Sequence, residues 1–255
     1  MGVLELKDVW INFGGIRALA GLSVTLEAGE ILGLIGPNGA GKTTVFNLVT
    51  GVYRPTQGSI TFGGHDLARR RPCDIACLGI SRTFQNIRLF QDLSVLDNVR
   101  LARHRRAGYS LLEAALRLPA RGKGEAKLTA DCMALLDLLG LAANAQDRAG
   151  SLPYGRQRTL EIARALATEP RVLLLDEPAA GMNSQESADL VGLIRRIHSD
   201  WKLSIFLIDH HMDVVMEACG RIVVLDYGEP IAEGTPGEIR ANPRVIQAYL
   251  GEEVA

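Results

Sequence analysis

The stretch LIGPNGAGKTT, Leu34–Thr44, decides how the rest of the chain is read. An apolar run, EILGLIG (30–36), leads into it, and a helix-forming run, KTTVFNLVT (42–50), leaves it. Glycine belongs where backbone N–H groups must approach a ligand closely or where φ is positive. Gly36–Thr43 fits G-x-x-x-x-G-K-[ST] at every position, with the strand before it and the helix after it that this phosphate-binding pattern requires. Successive amides of the turn and the positive end of the helix dipole then face phosphate. Lys42 adds a point charge for the β and γ phosphates, and Thr43 a hydroxyl for Mg²⁺. Gly36, Asn38, Gly39, Ala40, Gly41, Lys42, Thr43 and Thr44 are the expected nucleotide-binding residues, and the expected ligand is a nucleoside triphosphate.

A metal at the phosphates needs a carboxylate, and VLLLDEP (172–178) offers one. Four apolar residues carry Asp176 to the C-terminal end of a strand, where doubly wound folds bind ligands. Asp176 is the expected Mg²⁺ contact through water, and Glu177 the expected general base that polarises the attacking water. Lys42 and Asp176 stand 134 positions apart and no N-K-x-D occurs, which disfavours a small GTPase.

The remaining pattern predicts an α/β fold with a largely parallel, P-loop (RecA-like) sheet core. RVLLLD (171–176), LSIFLID (203–209) and RIVVLD (221–226) share the continuous apolar character of strands covered on both faces. VLELKDVWINF (3–13), LSVTLE (22–27) and GSITFGG (58–64) predict an antiparallel β element at the front. Residues 87–156, rich in Ala and Leu, predict a helical insertion, so that 1–86 and 157–255 form the nucleotide-binding core of one domain. From Arg100 to Lys127, eight basic residues stand against Glu113 and Glu125, a run best read as a solvated helical face.

Composition narrows the functional classes. A hydrophobic fraction of 47% and a charged fraction of 22% argue for a folded globular chain. Twenty-eight basic residues against 29 acidic ones give a formal net charge of −1, which predicts no nucleic-acid partner. The apolar runs are too short to span a bilayer, and the N-terminus has no signal-sequence pattern, so a soluble, cytoplasmic chain is expected. Cys73, Cys77, Cys132 and Cys219 make no zinc pattern and are expected to be free, buried thiols.

The order of these motifs resembles the ATPase subunits of ABC transporters over essentially the whole chain. The resemblance implies an adenine-stacking aromatic at Phe13 (in FGG) and a Q-loop glutamine at Gln85 (in RTFQNIRLF) that reaches Mg²⁺ and the attacking water. The metal set is then Thr43, Gln85 and Asp176. AAGMN (179–183) resembles the D-loop, with Asn183 where Asp is commoner, and LIDHHMD carries the switch histidine. His210, directly after the strand IFLI and its Asp, is preferred over His211. SLPYGRQRTLEIARAL (151–166) takes the signature position, but Pro153 and Tyr154 replace Ser and Gly. Leu152, Tyr154 and Gly155 are the residues expected to contact ATP bound to a second subunit, with Pro153 in the first turn of the helix.

Within the family, L-x-Y-G-x-Q-R, LDEPAAGMN and the ending NPRVIQAYLG resemble the branched-chain amino acid importer type, the LivG group. That implies ATP and Mg²⁺ as cofactors, and as partners hydrophobic permease subunits, a second ATPase subunit and, indirectly, a periplasmic or external solute-binding protein. The implied place is peripheral, at the cytoplasmic face of the inner (plasma) membrane. Ile87, Leu89 and Phe90 are either permease contacts or core of the insertion. Three rivals stay open at this point: an importer subunit for another small solute, a soluble ABC ATPase of DNA repair or translation, and a nucleotide-dependent assembly module that does not hydrolyse.

Overall fold

The computed structural model describes residues 2–104 and 119–250. The first strands are β1 (Gly2–Phe13), β2 (Ile16–Glu27), β3 (Ile31–Ile35), β4 (Gln57–Phe62), β5 (His65–Asp66) and β6 (Ile80–Arg82). Later come β7 (Val172–Asp176), β8 (Ser204–Ile208), β9 (Arg221–Asp226) and β10 (Glu229–Gly234). They form an antiparallel sheet in the order β2-β1-β4-β5 and a six-stranded sheet in the order β10-β9-β3-β8-β7-β6. The second is parallel except for β10. By chain contacts the molecule divides into two compact units, Met1–Gln85 with Arg171–Ala255, and Asn86–Pro170.

Both sheets lie in the first unit. Every residue of β3, β7 and β8 is buried, which is why these strands read as unbroken apolar runs. In β1 the buried set shifts from Leu4 and Leu6 to Val9 and Ile11. A register irregularity between Leu6 and Val9, with Asp8 at φ 47°, inserts one residue and keeps the same face inward. Helix α1 (Lys42–Val49) contributes the fully buried Phe46, whose ring meets Phe206 of β8 edge-on at 5.3 Å. Burial of such a side chain is worth roughly 1.5–3 kcal/mol. Helix α2 (Pro72–Leu78) precedes β6.

In the second unit, helix α3 (Val95–Arg103) is capped by Ser94, whose hydroxyl accepts from the Asp97 amide at 3.0 Å. Buried Asn98 satisfies all its polar atoms locally: its amide donates to the Phe90 and Ser94 carbonyls, and its oxygen accepts from the Phe90 N–H. Helices α4 (Pro119–Leu138) and α5 (Tyr154–Ala167) complete this unit. The compact units part at 170/171, with all of α5 grouped beside α3 and α4. Of the basic run, Arg100 pairs with Asp97 and Glu125, and Arg103 with Asp131 and Glu169. Those four pairs replace the expected bare solvated face at these two positions, while residues 105–118 of the run lie outside the described residues.

Back in the first unit come α6 (Ser184–Trp201), α7 (Met212–Ala218), α8 (Pro236–Ala241) and α9 (Pro243–Leu250). A proline opens the C-terminal helix, where its missing N–H costs nothing. Strand β10 has no counterpart in the sequence reading. Glu, Pro, Ala and Gly are poor strand formers, and it is the Tyr227–Gly228 turn, both residues at positive φ, that folds EPIAEG back on β9. None of the four cysteines is in a disulfide, but only Cys132 and Cys219 are buried; Cys73 and Cys77, on short α2, are exposed. Burial pushes the Cys132 thiol up to about 11 and the Cys219 thiol up to about 12. Among the described residues no helix is long and apolar enough to cross a membrane.

Candidate functional site

Strand order assembles the site. β3, β8, β7 and β6 are successive neighbours running in parallel, so the segments that follow them emerge along one sheet edge. After β3 comes the phosphate loop; after β8, Asp209, His210 and His211; after β7, Glu177; after β6, Thr83 and Gln85.

The loop turns tightly enough to exclude side chains. Gly36 sits at φ 151°, and a Cβ there would lie 2.0 Å from the Leu225 carbonyl oxygen. Gly41, at φ 99°, takes the N-cap position of α1, with no side-chain cap. The first-turn amides are therefore left for a ligand. Lys42 is nearly buried, and its ammonium spans the loop by donating to the carbonyls of Gly36 (2.5 Å) and Pro37 (2.8 Å). Ala40 is buried and anchors the loop to the β9–β10 turn by accepting from the Gly228 N–H, whereas Asn38, Gly39 and Thr43 are exposed and Thr44 half-buried. Phe13, at the end of β1, is 43% exposed, with its ring 4.9 Å from Tyr53 and edge-on, which leaves a face open for stacking.

Glu177 joins the candidate catalytic group. Its carboxylate oxygen Oε2 accepts from Gln85 Nε2 at 2.7 Å and stands 3.5 Å from His210 Nδ1. Its backbone has φ 46°, uncommon for a residue with a side chain, and its N–H donates to the Ile208 carbonyl at 2.7 Å. The structure thus brings Gln85, Glu177 and His210 together. His211 instead turns its Nδ1 to Asp209 at 2.8 Å and starts α7 as its N-cap residue.

Asp176 is buried at the end of β7, and its nearest charge is Arg82, with Nη2 donating to Oδ2 at 2.6 Å. The same guanidinium donates to Asn47 Oδ1 at 2.8 Å and lies over the rings of Phe46 and Phe84. Arg82 so ties the acid to α1, the helix that carries Lys42 and Thr43. The sequence reading missed this residue. The signal available was a cation inside the strand-like GISRTF, which would have to be buried and so would need a carboxylate. It missed Asp209 too, which is fully buried and holds the loop by accepting from the Ala179 N–H (3.1 Å) and the His211 N–H (2.9 Å). Asn183, at the D-loop position, is the N-cap of α6 in a reciprocal capping box with Glu186.

The signature residues belong to the second unit. Leu152 is buried, and its carbonyl accepts from Gln157 Nε2 at 2.8 Å. Pro153 is the N-cap of α5, one position before the expected first turn, because its ψ of 150° is extended. Tyr154 is the first helical residue and Gly155 follows it half-buried; the Tyr154 hydroxyl accepts from Arg158 Nη2 at 3.2 Å, and Arg158 pairs with Glu161 inside the unit.

Residues 19–180 match the family model described as ABC transporter, and 229–255 match the one described as branched-chain amino acid ATP-binding cassette transporter. The chain is 43% identical to the high-affinity branched-chain amino acid transport ATP-binding protein BraF of Pseudomonas aeruginosa and 42% identical to its counterpart LivG of Escherichia coli, over 98% of both chains in each case. The crystal structure of the ADP conformation of an ATP-binding cassette of an ABC transporter superposes with a TM-score of 0.86 at 29% identity, covering 98% of this chain and 99% of that one. With its α/β cassette fold and a family match over most of its length, the chain belongs to the ABC transporter family of ATP-binding cassettes.

Proposed function

We propose that the chain is the ATP-hydrolysing subunit of an importer for branched-chain or related amino acids, working peripherally at the cytoplasmic face of the membrane with hydrophobic permease subunits and a second ATPase subunit. Similarity to BraF and LivG along 98% of the chain supports the transport class, and the match at 229–255 supports the substrate class. The observation that carries the chemistry is the meeting of Gln85, Glu177 and His210 at the sheet edge that also carries the phosphate loop.

In this reading the amides of residues 36–43 and the Lys42 ammonium hold the triphosphate, and Phe13 stacks on the adenine. Oxygen donors from Thr43, Gln85 and Asp176 form a hard set of the kind Mg²⁺ prefers, and the buried carboxylate at a strand end fits that ion. When bound, the ion neutralises charge on the phosphates. Glu177 takes the proton of the attacking water through a carboxylate oriented by Gln85, and His210 stands beside it to face the γ phosphate. Leu152, Tyr154 and Gly155 meet the nucleotide of the partner subunit, where the uncapped N-terminus of α5 offers amides in place of a serine hydroxyl.

Glu177→Gln keeps the shape and the bond to Gln85 but cannot accept a proton. Turnover should drop by about two to four orders of magnitude while Mg-ATP still binds. Phosphate release at the parent rate would remove Glu177 from its role. Leucine uptake by proteoliposomes holding the chain with its permease chains and second ATPase subunit, supplied with the solute-binding protein, tests the substrate class; ATP turnover without uptake of any branched-chain amino acid would sink it.

A further inference from the structure

Asp209, His210 and His211 bring one carboxylate and two imidazoles within 4.8 Å of one another. We propose that this triad is a transition-metal site, for Zn²⁺ or a similar borderline ion, whose occupation withdraws His210 from Glu177. The inference about binding stands apart from the proposed function; only its consequence for turnover rests on it.

Two nitrogens and an oxygen with an open position make a set that suits Zn²⁺, Ni²⁺ or Cu²⁺ rather than Mg²⁺. Tetrahedral bonds of about 2.0–2.1 Å hold neighbouring donor atoms about 3.3 Å apart. The Nδ1 atoms of His211 and His210 lie 2.8 Å and 3.8 Å from the same oxygen, Asp209 Oδ1, and so bracket that separation. Asp209 is a fixed anchor, fully buried and held by the amides of Ala179 and His211. The two rings are partly exposed, with centroids 4.0 Å apart, and an ion would draw in donor atoms that lie within 4.8 Å of one another. The ion takes the place of the proton between His211 Nδ1 and Asp209; in the neutral ring that proton moves to Nε2, and in the imidazolium it leaves to the buffer. His210 is then tethered to Asp209 and His211. The sequence feature responsible is the doubled histidine after an aspartate, DHH at 209–211.

The exposed Cys73 and Cys77, four apart on α2, are a competing thiolate pair, so the test uses the full chain with Cys73→Ser and Cys77→Ser. Without nucleotide, calorimetric titration with Zn²⁺ should show one site per chain, and Co²⁺ should give visible d–d bands. His211→Asn should weaken zinc binding by at least about tenfold, the lower bound set by loss of even an outer-shell partner, and abolish the cobalt bands. Asn is a favoured N-cap residue, so the variant keeps the start of α7. Zinc should also inhibit ATP turnover in the parent and spare His211→Asn, whose zinc-free turnover stays within about twofold. Zinc affinity and cobalt spectra unchanged by His211→Asn, or no zinc uptake by the parent, overturn the site, and either result leaves the ATPase reading untouched.

Discussion

The two units each bury an arginine–carboxylate pair that touches a helix, and the pairs differ in what they connect. In the first unit Arg82 reaches 94 residues along the chain to Asp176 and also grips Asn47 on α1. In the second, Arg158 reaches one helical turn to Glu161 and up to the Tyr154 hydroxyl. The first pair locks the relative position of two functional elements; the second stiffens the end of one helix. Helix starts differ as well. Ser94, Asn183 and Thr235 cap α3, α6 and α8 with side chains, whereas α1, α2, α5 and α7 have no side-chain cap, and of these α1 and α5 begin in the phosphate loop and the signature. A cap would occupy the amides that a phosphate needs.

The sharpest way to break this contrast is to remove each arginine in turn. Arg82→Met strips Asp176 of the guanidinium that pairs with it and should cost about 3–5 kcal/mol, the usual penalty for stranding one member of a buried pair. At roughly 2–4 °C per kcal/mol for a protein of this size, the melting temperature should fall by about 6–20 °C. Turnover at a temperature where the variant remains folded should fall as well, because α1 and Asp176 lose their common tether. Arg158→Met should destabilise less, since a pair three residues apart partly forms in the unfolded chain. Scanning calorimetry with turnover assays on the two variants decides it; equal losses of stability, or full turnover in Arg82→Met, would erase the difference between the pairs.

How far the sequence reveals each pair follows from the same geometry. The phosphate loop, the acids after LLLL-type strands and the histidine after IFLI are local patterns, legible because spacing alone fixes where the side chains emerge. Parallel strands were legible because burial on both faces leaves continuous apolar runs. Arg82, Asp209 and strand β10 were not. Arg82 and Asp209 act through partners 94 and 30 residues away, and no periodicity links such positions. β10 forms because a tight turn delivers it to a sheet edge, against its own composition. The exposed Cys73 and Cys77 fell outside the expectation because burial was inferred from residue type, while α2 turns only Ile75 fully inward.

Asn183 gives a middle-sized test of the capped starts. Asn183→Ala removes the acceptor for the Glu186 amide and should cost about 1 kcal/mol, within the usual range for an N-cap. Asn183→Asp, the commoner residue at this motif position, keeps the acceptor and adds a charge that the helix dipole favours, so its stability should match the parent within about 0.5 kcal/mol. Urea melts of the two variants separate a capping role from one in nucleotide turnover: if Asn183→Ala is as stable as the parent, the capping box contributes nothing.

The smallest effect is expected where the signature departs most from its family. Tyr154→Phe deletes only the hydroxyl that accepts from Arg158 Nη2, leaves the ring beneath the guanidinium 5.6 Å away, and should cost about 0.5 kcal/mol, the low end for one hydrogen bond, because Tyr154 is exposed. Turnover should hardly change, because in the proposed dimer the amides at the start of α5, and not this hydroxyl, face the nucleotide. A fall of tenfold or more in turnover with unchanged stability would show instead that the Tyr154 hydroxyl has taken over the contact that serine makes elsewhere in the family, and the starts of α1 and α5 would then no longer be equivalent.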